Sequence, residues 1–167
     1  VMRLFATKQA FAAIKEDGSV VTWGSPLHGG DCREVQDQLR NVQHIQSSSG
    51  AFAAICDGKV ITWGSALFGG DCGDVKDQLV DVEILQATET AFAALRKDGR
   101  CLTWGAAMSG GDSRDVEDLL VDVKKLRSTS GAFAAIRKDG SVVTWGNPRH
   151  GADCSEIEPL LRNVEEI

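Results

Sequence analysis

Five cysteines, three histidines and twenty-four acidic side chains are the groups in this chain that could do chemistry. The cysteines are Cys32, Cys56, Cys72, Cys101 and Cys154. Their number is odd and no two form a C-x-x-C pair, which speaks against both a disulfide framework and a zinc site. Cys32, Cys72 and Cys154 share the first position of an expected helix, where the dipole could lower a thiol pKa. Ser113 takes that position in the third copy, so a small packing residue explains it better than a redox centre. His28, His44 and His150 belong to no nucleophile–base arrangement, and no G-x-S-x-G, H-E-x-x-H or Walker pattern occurs. The Asp-Gly pairs lack the aspartate-rich loop that calcium requires. Gly29-Gly30-Asp31 could hold an anion on exposed amides, but Asp31 would cap those amides itself and repel a phosphate. Carboxylates such as Glu34, Asp37 and Asp74 read as a solvated face. These groups point to no catalytic residue, cofactor or metal, and the chain reads as non-enzymatic.

What the sequence does contain is a repeat. Trp23, Trp63, Trp104 and Trp145 are separated by 40, 41 and 41 residues. Ala-Phe-Ala-Ala recurs at Ala10–Ala13, Ala51–Ala54, Ala91–Ala94 and Ala132–Ala135, each followed by Asp-Gly, Thr-Trp-Gly and a Gly-Gly-Asp that drifts once to Gly151-Ala152-Asp153. The units run approximately over 1–41, 42–81, 82–122 and 123–163, with the start of a fifth at 164–167. Val1-Met2-Arg3-Leu4 and Val164-Glu165-Glu166-Ile167 both match Val42-Gln43-His44-Ile45. The chain thus holds five copies of this strand start and four hairpins.

Each unit can be built from elementary rules. Ala51–Ile55 and Val60–Trp63 are β-rich runs around Asp57-Gly58, which predicts a hairpin with a two-residue type I′ turn. The other units insert one residue, Glu16, Lys97 or Lys138, which suits a three-residue loop with glycine at positive φ. Gly18, Gly58, Gly99 and Gly140 are therefore turn anchors. On that basis Gly99→Val should destabilise more than Gly110→Ala. The first strand is apolar on both faces, so its sheet must be covered on both sides. Tryptophan at one position in every unit reads as inter-sheet packing rather than a stacking surface for a sugar or base. Asp31, Asp71, Asp112 and Asp153 read as helix caps, with Asp31-x-x-Glu34 and Asp153-x-x-Glu156 as capping boxes. The stripes Val35/Leu39/Val42, Val75/Leu79/Val82, Val116/Leu120/Val123 and Ile157/Leu161/Val164 predict a helix of two to three turns docked on each sheet.

The sequence Gly50-Ala51-Phe52-Ala53-Ala54-Ile55, Asp57-Gly58 and Val60-Ile61-Thr62-Trp63-Gly64 resembles the regulator-of-chromosome-condensation repeat family, and the match recurs four times. Ala-Phe stands where the family has His-Thr, Gly-Gly-Asp replaces its Gly-Gln-Leu-Gly segment, and each unit is shorter by about ten residues. This compact form is similar to tandem repeats of dinoflagellate algal proteins. The resemblance implies a β-propeller, conventionally of seven blades, which four units cannot complete. The expected fold is mainly β, a propeller-like array of four β-hairpin/short helix/β-strand repeats forming a partial or small ring. Its exposed sheet edges suggest assembly with another chain.

In repeat proteins function sits where the copies differ. The loops after Trp-Gly diverge most, and Leu27, His28, Leu67, Phe68, Met108, Arg149 and His150 are the partner-binding candidates they supply. The apolar ones, Leu27, Leu67, Phe68 and Met108, fit a role as lids over the hydrophobic helix bases equally well. The leading expectation is a protein-binding or scaffold module within a larger multi-subunit complex. The algal resemblance extends this to an organellar or photosynthetic assembly. The alternatives are an exchange-factor or ubiquitin-ligase substrate-binding module, roles the family includes, and a lectin-like sugar-binding protein. The 167 residues carry a net charge of −6, which argues against a nucleic-acid partner. No apolar run is long enough for membrane insertion. The unpaired cysteine pattern points to an intracellular setting, cytoplasm or an organelle such as the chloroplast. Val1 in place of Met marks a processed product or an excerpt.

Overall fold

The computed structural model describes residues 3–165. Each Asp-Gly turn folds its two β-rich runs into a hairpin, and the preceding run adds a third antiparallel strand. The first sheet is β1 (Arg3–Ala6), β2 (Ala10–Ile14) and β3 (Val20–Gly24). The second is β4 (Val42–Ser47), β5 (Ala51–Cys56) and β6 (Lys59–Gly64). The third is β7 (Val82–Ala87), β8 (Ala91–Arg96) and β9 (Cys101–Gly105). The fourth is β10 (Val123–Ser128), β11 (Ala132–Arg137) and β12 (Val142–Gly146). At the tight turn of the second sheet Asp57 has φ +50° and Gly58 φ +79°, as a type I′ geometry demands. The register sets phenylalanine opposite tryptophan in every sheet, and the facing rings stack with centroids 5.2–5.4 Å apart.

The sheets follow one another as blades. One face of each sheet packs on the opposite face of the next, so the core comes as layers between blades rather than one central mass. The first layer joins Ala10, Ala12, Ile14 and Val20 to Ile45, Phe52, Ala54 and Trp63, and two further layers repeat it. Alanine on one side allows the close approach that the large Phe–Trp pair on the other then fills. The innermost strands β1, β4, β7 and β10 neighbour one another in turn. Beyond their ends the backbone links blade to blade: Lys8 N–H donates to Ser49 C=O, Ser49 N–H to Glu89 C=O, and Glu89 N–H to Ser130 C=O. The arc stays open, because Trp23 of the first sheet is 46% exposed where Trp63, Trp104 and Trp145 are each 5%.

The short helical segment of each repeat is present, but wound as a 3-10 helix and shorter than three turns, not as an α-helix. The segments carrying the stripes are 3-10 turns at Gln36–Gln38, Gly73–Gln78, Arg114–Leu119 and Glu158–Leu160. Asp31, Asp71, Asp112 and Asp153 are not caps of a capping box either. Each accepts the backbone N–H two residues on, from Arg33, Gly73, Arg114 and Ser155 respectively, in a local turn. A costly α nucleus has few residues over which to be offset in such a short span. The segment is also stopped by Asn41, Asp81, Asp122 and Asn163, all at φ of +50° to +57°. The apolar stripe serves its purpose in the tighter form: Leu39, Leu79 and Leu120 are fully buried. Val164 and Glu165 lie in no strand, and the rest of the surplus strand start, Glu166 and Ile167, falls outside the described residues, as do Val1 and Met2.

Candidate partner-binding face

Every Trp-Gly is followed by a single 3-10 turn, at Pro26–His28, Ala66–Phe68, Ala107–Ser109 and Pro148–His150. A glycine in the left-handed region ends each one. At Gly110, with φ +90°, an added Cβ would also come within 2.6 Å of the Phe133 ring. Gly110 is thus at least as constrained as Gly99, whose nearest such contact is 3.2 Å, and the ordering expected from the sequence for these two positions does not follow from the structure.

The turn sorts the seven candidates by position. Its middle residue points to solvent: Leu27 is 77%, Leu67 80% and Met108 74% exposed, and Arg149 completes the row. The next residue has its carbonyl held in every copy, and it lies one step inward at His28, Phe68 and Ser109 while His150 stays exposed. His28, Phe68, Ser109 and His150 accept hydroxyl hydrogen bonds of 2.7–3.2 Å from Thr7, Ser48, Thr88 and Thr129. The same hydroxyls accept the N–H of Ala10, Ala51, Ala91 and Ala132, tying each turn to the start of a central strand. These four residues went unnoticed in the sequence, although Ser or Thr stands three places before each Ala-Phe-Ala-Ala. Phe68 is half-buried, with its ring 6.0 Å from that of His28. His28 Nδ1 lies 3.0 Å from Ser25 Oγ, and His150 Nδ1 lies 3.2 Å from Ser130 Oγ. Leu27, Leu67, Met108 and Arg149 are therefore the outward row, while His28, Phe68 and His150 are engaged in packing or hydrogen bonds.

Grooves separate neighbouring turns. One of about 750 Å³ runs between the first two and is lined by Leu27, Leu67 and Phe68 with Asp31 and Glu34. Another of about 520 Å³ lies between the last two, with Met108, Pro148, Asp112 and Asp115. Hydrogen bonds from the Arg33 side chain and then its backbone hold the Asp31 carboxyl down at about 2. Arg114 does the same for Asp112, also at about 2. Both carboxylates are therefore ionised throughout the physiological range. The face combines exposed aliphatic side chains with two Arg-paired carboxylates, Asp31 and Asp112, and with the further acidic residues Glu34 and Asp115.

The thiols lie elsewhere. Cys32, Cys56, Cys72 and Cys101 are buried and Cys154 is partly so, all without disulfides. Burial pushes the Cys101 thiol up to about 12 and, foremost among its causes, the Cys56 thiol up to about 11, the reverse of an activated nucleophile. Among the described residues no group of three or more His, Cys, Asp or Glu could hold a metal ion. No helix among them is long and apolar enough to cross a membrane.

No protein-family model and no curated protein matches the sequence. Solved structures match the fold. Prp20p from Saccharomyces cerevisiae, characterised with its binding to Gsp1p and histones, is 20% identical with a TM-score of 0.59 over 86% of this chain and 44% of that one. Human WBSCR16 is 14% identical with a TM-score of 0.59 over 98% of this chain and 50% of that one. The ectodomain of the Physcomitrella patens receptor kinase CR4 is 16% identical with a TM-score of 0.59 over 86% and 39%. The chain spans half the length of these relatives or less. Prp20p is the yeast RCC1, and the fold of this chain is a partial β-propeller of the RCC1 type.

Proposed function

We propose that the chain is a non-enzymatic protein-binding module that receives its partner across the row Leu27, Leu67, Met108 and Arg149. The observation that carries this reading is the exposure of three large aliphatic residues at one repeated position, where no packing requirement holds them. Adjoining grooves give apolar anchors somewhere to sit, and the acidic rim favours a polypeptide with basic residues beside those anchors. Prp20p, of like fold, binds the protein Gsp1p and histones, which supports a protein as the partner class. Subunit membership in a larger assembly is part of the proposal. An intracellular compartment suits buried thiols without disulfides.

The test is affinity capture from the source with the wild-type chain and with Leu27→Ser/Leu67→Ser/Met108→Ser. The reading expects equal melting temperatures and the loss of the same specific protein from the variant. Equal capture by both chains would refute it. The exchange-factor role implied by the resemblance to the repeat family supplies a second reading. It would be favoured if the chain accelerated nucleotide release from a small GTPase, although the chain spans only 44% of Prp20p.

A further inference from the structure

We propose that a second copy of this chain docks head to tail on the first, seating the Phe11–Trp23 face of its first sheet on the Gly151 face of the fourth sheet, and that two such contacts close a two-chain ring of eight sheets. The inference is independent of the turn row above and rests on the three inter-blade interfaces already present. In each of them a phenylalanine covers a glycine of the preceding repeat. An added Cβ at Gly29, Gly69 or Gly110 would meet Phe52, Phe92 or Phe133 at 2.6 Å. In each, the tryptophan indole N–H also donates to that glycine's carbonyl: Trp63 to Gly29, Trp104 to Gly69 and Trp145 to Gly110, at 3.0–3.1 Å.

The two ends of the array hold the two halves of a fourth interface. At the head, Leu4, Phe11, Val21 and Trp23 are 61%, 42%, 43% and 46% exposed. Their counterparts in the second sheet include Ile45 and Phe52 at 0% and Trp63 at 5%. At the tail, Gly151 has nothing within 4 Å of an added Cβ. Ala134 is only half-buried where Ala12, Ala53 and Ala93 are fully buried. A hollow of about 90 Å³ beside Ala132, Ala134 and Gly151 marks where the next phenylalanine would sit. The backbone ladder ends on Ser130 at the tail and begins on Lys8 at the head, so the Ser130 N–H of one copy would continue it onto the Lys8 carbonyl of the other.

A head-to-tail contact makes open fibres unless its rotation closes. The chain covers 44% and 50% of two solved structures of like fold, so two copies supply about one such structure's length of sheets. That relation, and the continuity of the interface with its three internal copies, select a second copy of this chain as the occupant.

The experiment is sedimentation equilibrium of the 167-residue chain up to about 100 µM, where a micromolar interface is saturated. It compares wild type with the head variant Trp23→Asp, the tail variant Ala134→Glu, and an equimolar mixture of the two. Wild type is expected at twice 17.9 kDa with no larger species. Each variant alone is expected at 17.9 kDa, with the near-ultraviolet circular dichroism of its interior tryptophans retained. The mixture is expected to recover dimers, since the intact head of one variant meets the intact tail of the other. A contact between like surfaces would show no such recovery. A wild-type monomer at the highest concentration, unlimited growth, or a mixture that stays monomeric would each overturn the proposal.

Discussion

The first and third sheets are built from nearly the same residues in the same register, yet they live in different surroundings. In the third, Phe92 and Trp104 stack at 5.4 Å, both are buried, and the indole N–H is satisfied by Gly69. In the first, Phe11 and Trp23 stack at the same 5.4 Å with more than 40% of each exposed. The ring pair therefore forms within a sheet and does not need the neighbouring blade. What the neighbour adds is desolvation and one hydrogen bond. The comparison separates what one repeat specifies by itself from what only a stack of repeats can supply, as expected where stability sums repeat and interface contributions.

Breaking the pair in each place gives the largest contrast. Trp104→Ala should cost about 3–5 kcal/mol in chemical denaturation, because it leaves a cavity in a filled layer. Trp23→Ala in dilute solution should cost under about 1 kcal/mol, as an exposed position does. Glycine comes next. Gly110→Ala adds a clash with Phe133 to the left-handed backbone penalty, and should lower stability by about 2–4 kcal/mol. Gly151→Ala at φ +105° meets nothing, so only the backbone penalty of about 1–2 kcal/mol remains. Thermal unfolding of the two variants measures the difference. A gentler probe is a thiol-specific colorimetric reagent: Cys154 should react first in the native protein, and Cys101 only as the protein unfolds.

The smallest effect is in acid. Asp112 is lowered from 3.8 to about 2 by Arg114, so its contribution is complete above pH 3.8 and disappears as pH falls towards 2. Asp153 is lowered by Ser155, a neutral partner. Raising salt should weaken the acid sensitivity that depends on Asp112 and leave that of Asp153 nearly unchanged, as Asp→Asn variants compared in acid titrations at low and high salt will show.

The hairpins, their turns and the anchoring tryptophans were legible because each rests on local chemistry repeated four times. Asp57-Gly58 can form a type I′ turn with no help from the rest of the chain. The stripe through Val35 and Leu39 was legible as buried but not as a 3-10 form, since i, i+4 spacing reports which side faces inward and not how tightly the backbone winds. Phe68 looked like its exposed neighbour Leu67, because apolar type does not reveal which of two adjacent turn residues faces in. The Phe68 ring packs beside Gly50 and against the layer between the second and third sheets, while the signal of the Ser48 clamp on its carbonyl was only a small hydroxyl residue at a fixed offset. The uneven burial of Trp23 and Trp63 could not be read from identical motifs. It depends on whether a blade precedes.

The indole bonds from one blade to the one before span only 34 or 35 residues of sequence. No blade interface therefore has to wait for the far end of the chain. During synthesis, each new hairpin can find its acceptor glycine on a blade already made, so the array can grow in the direction of translation. In the dilute single chain, loss of order should start from the two ends of the array: the amides of the outermost blades should exchange with solvent well before those of β5 and β8.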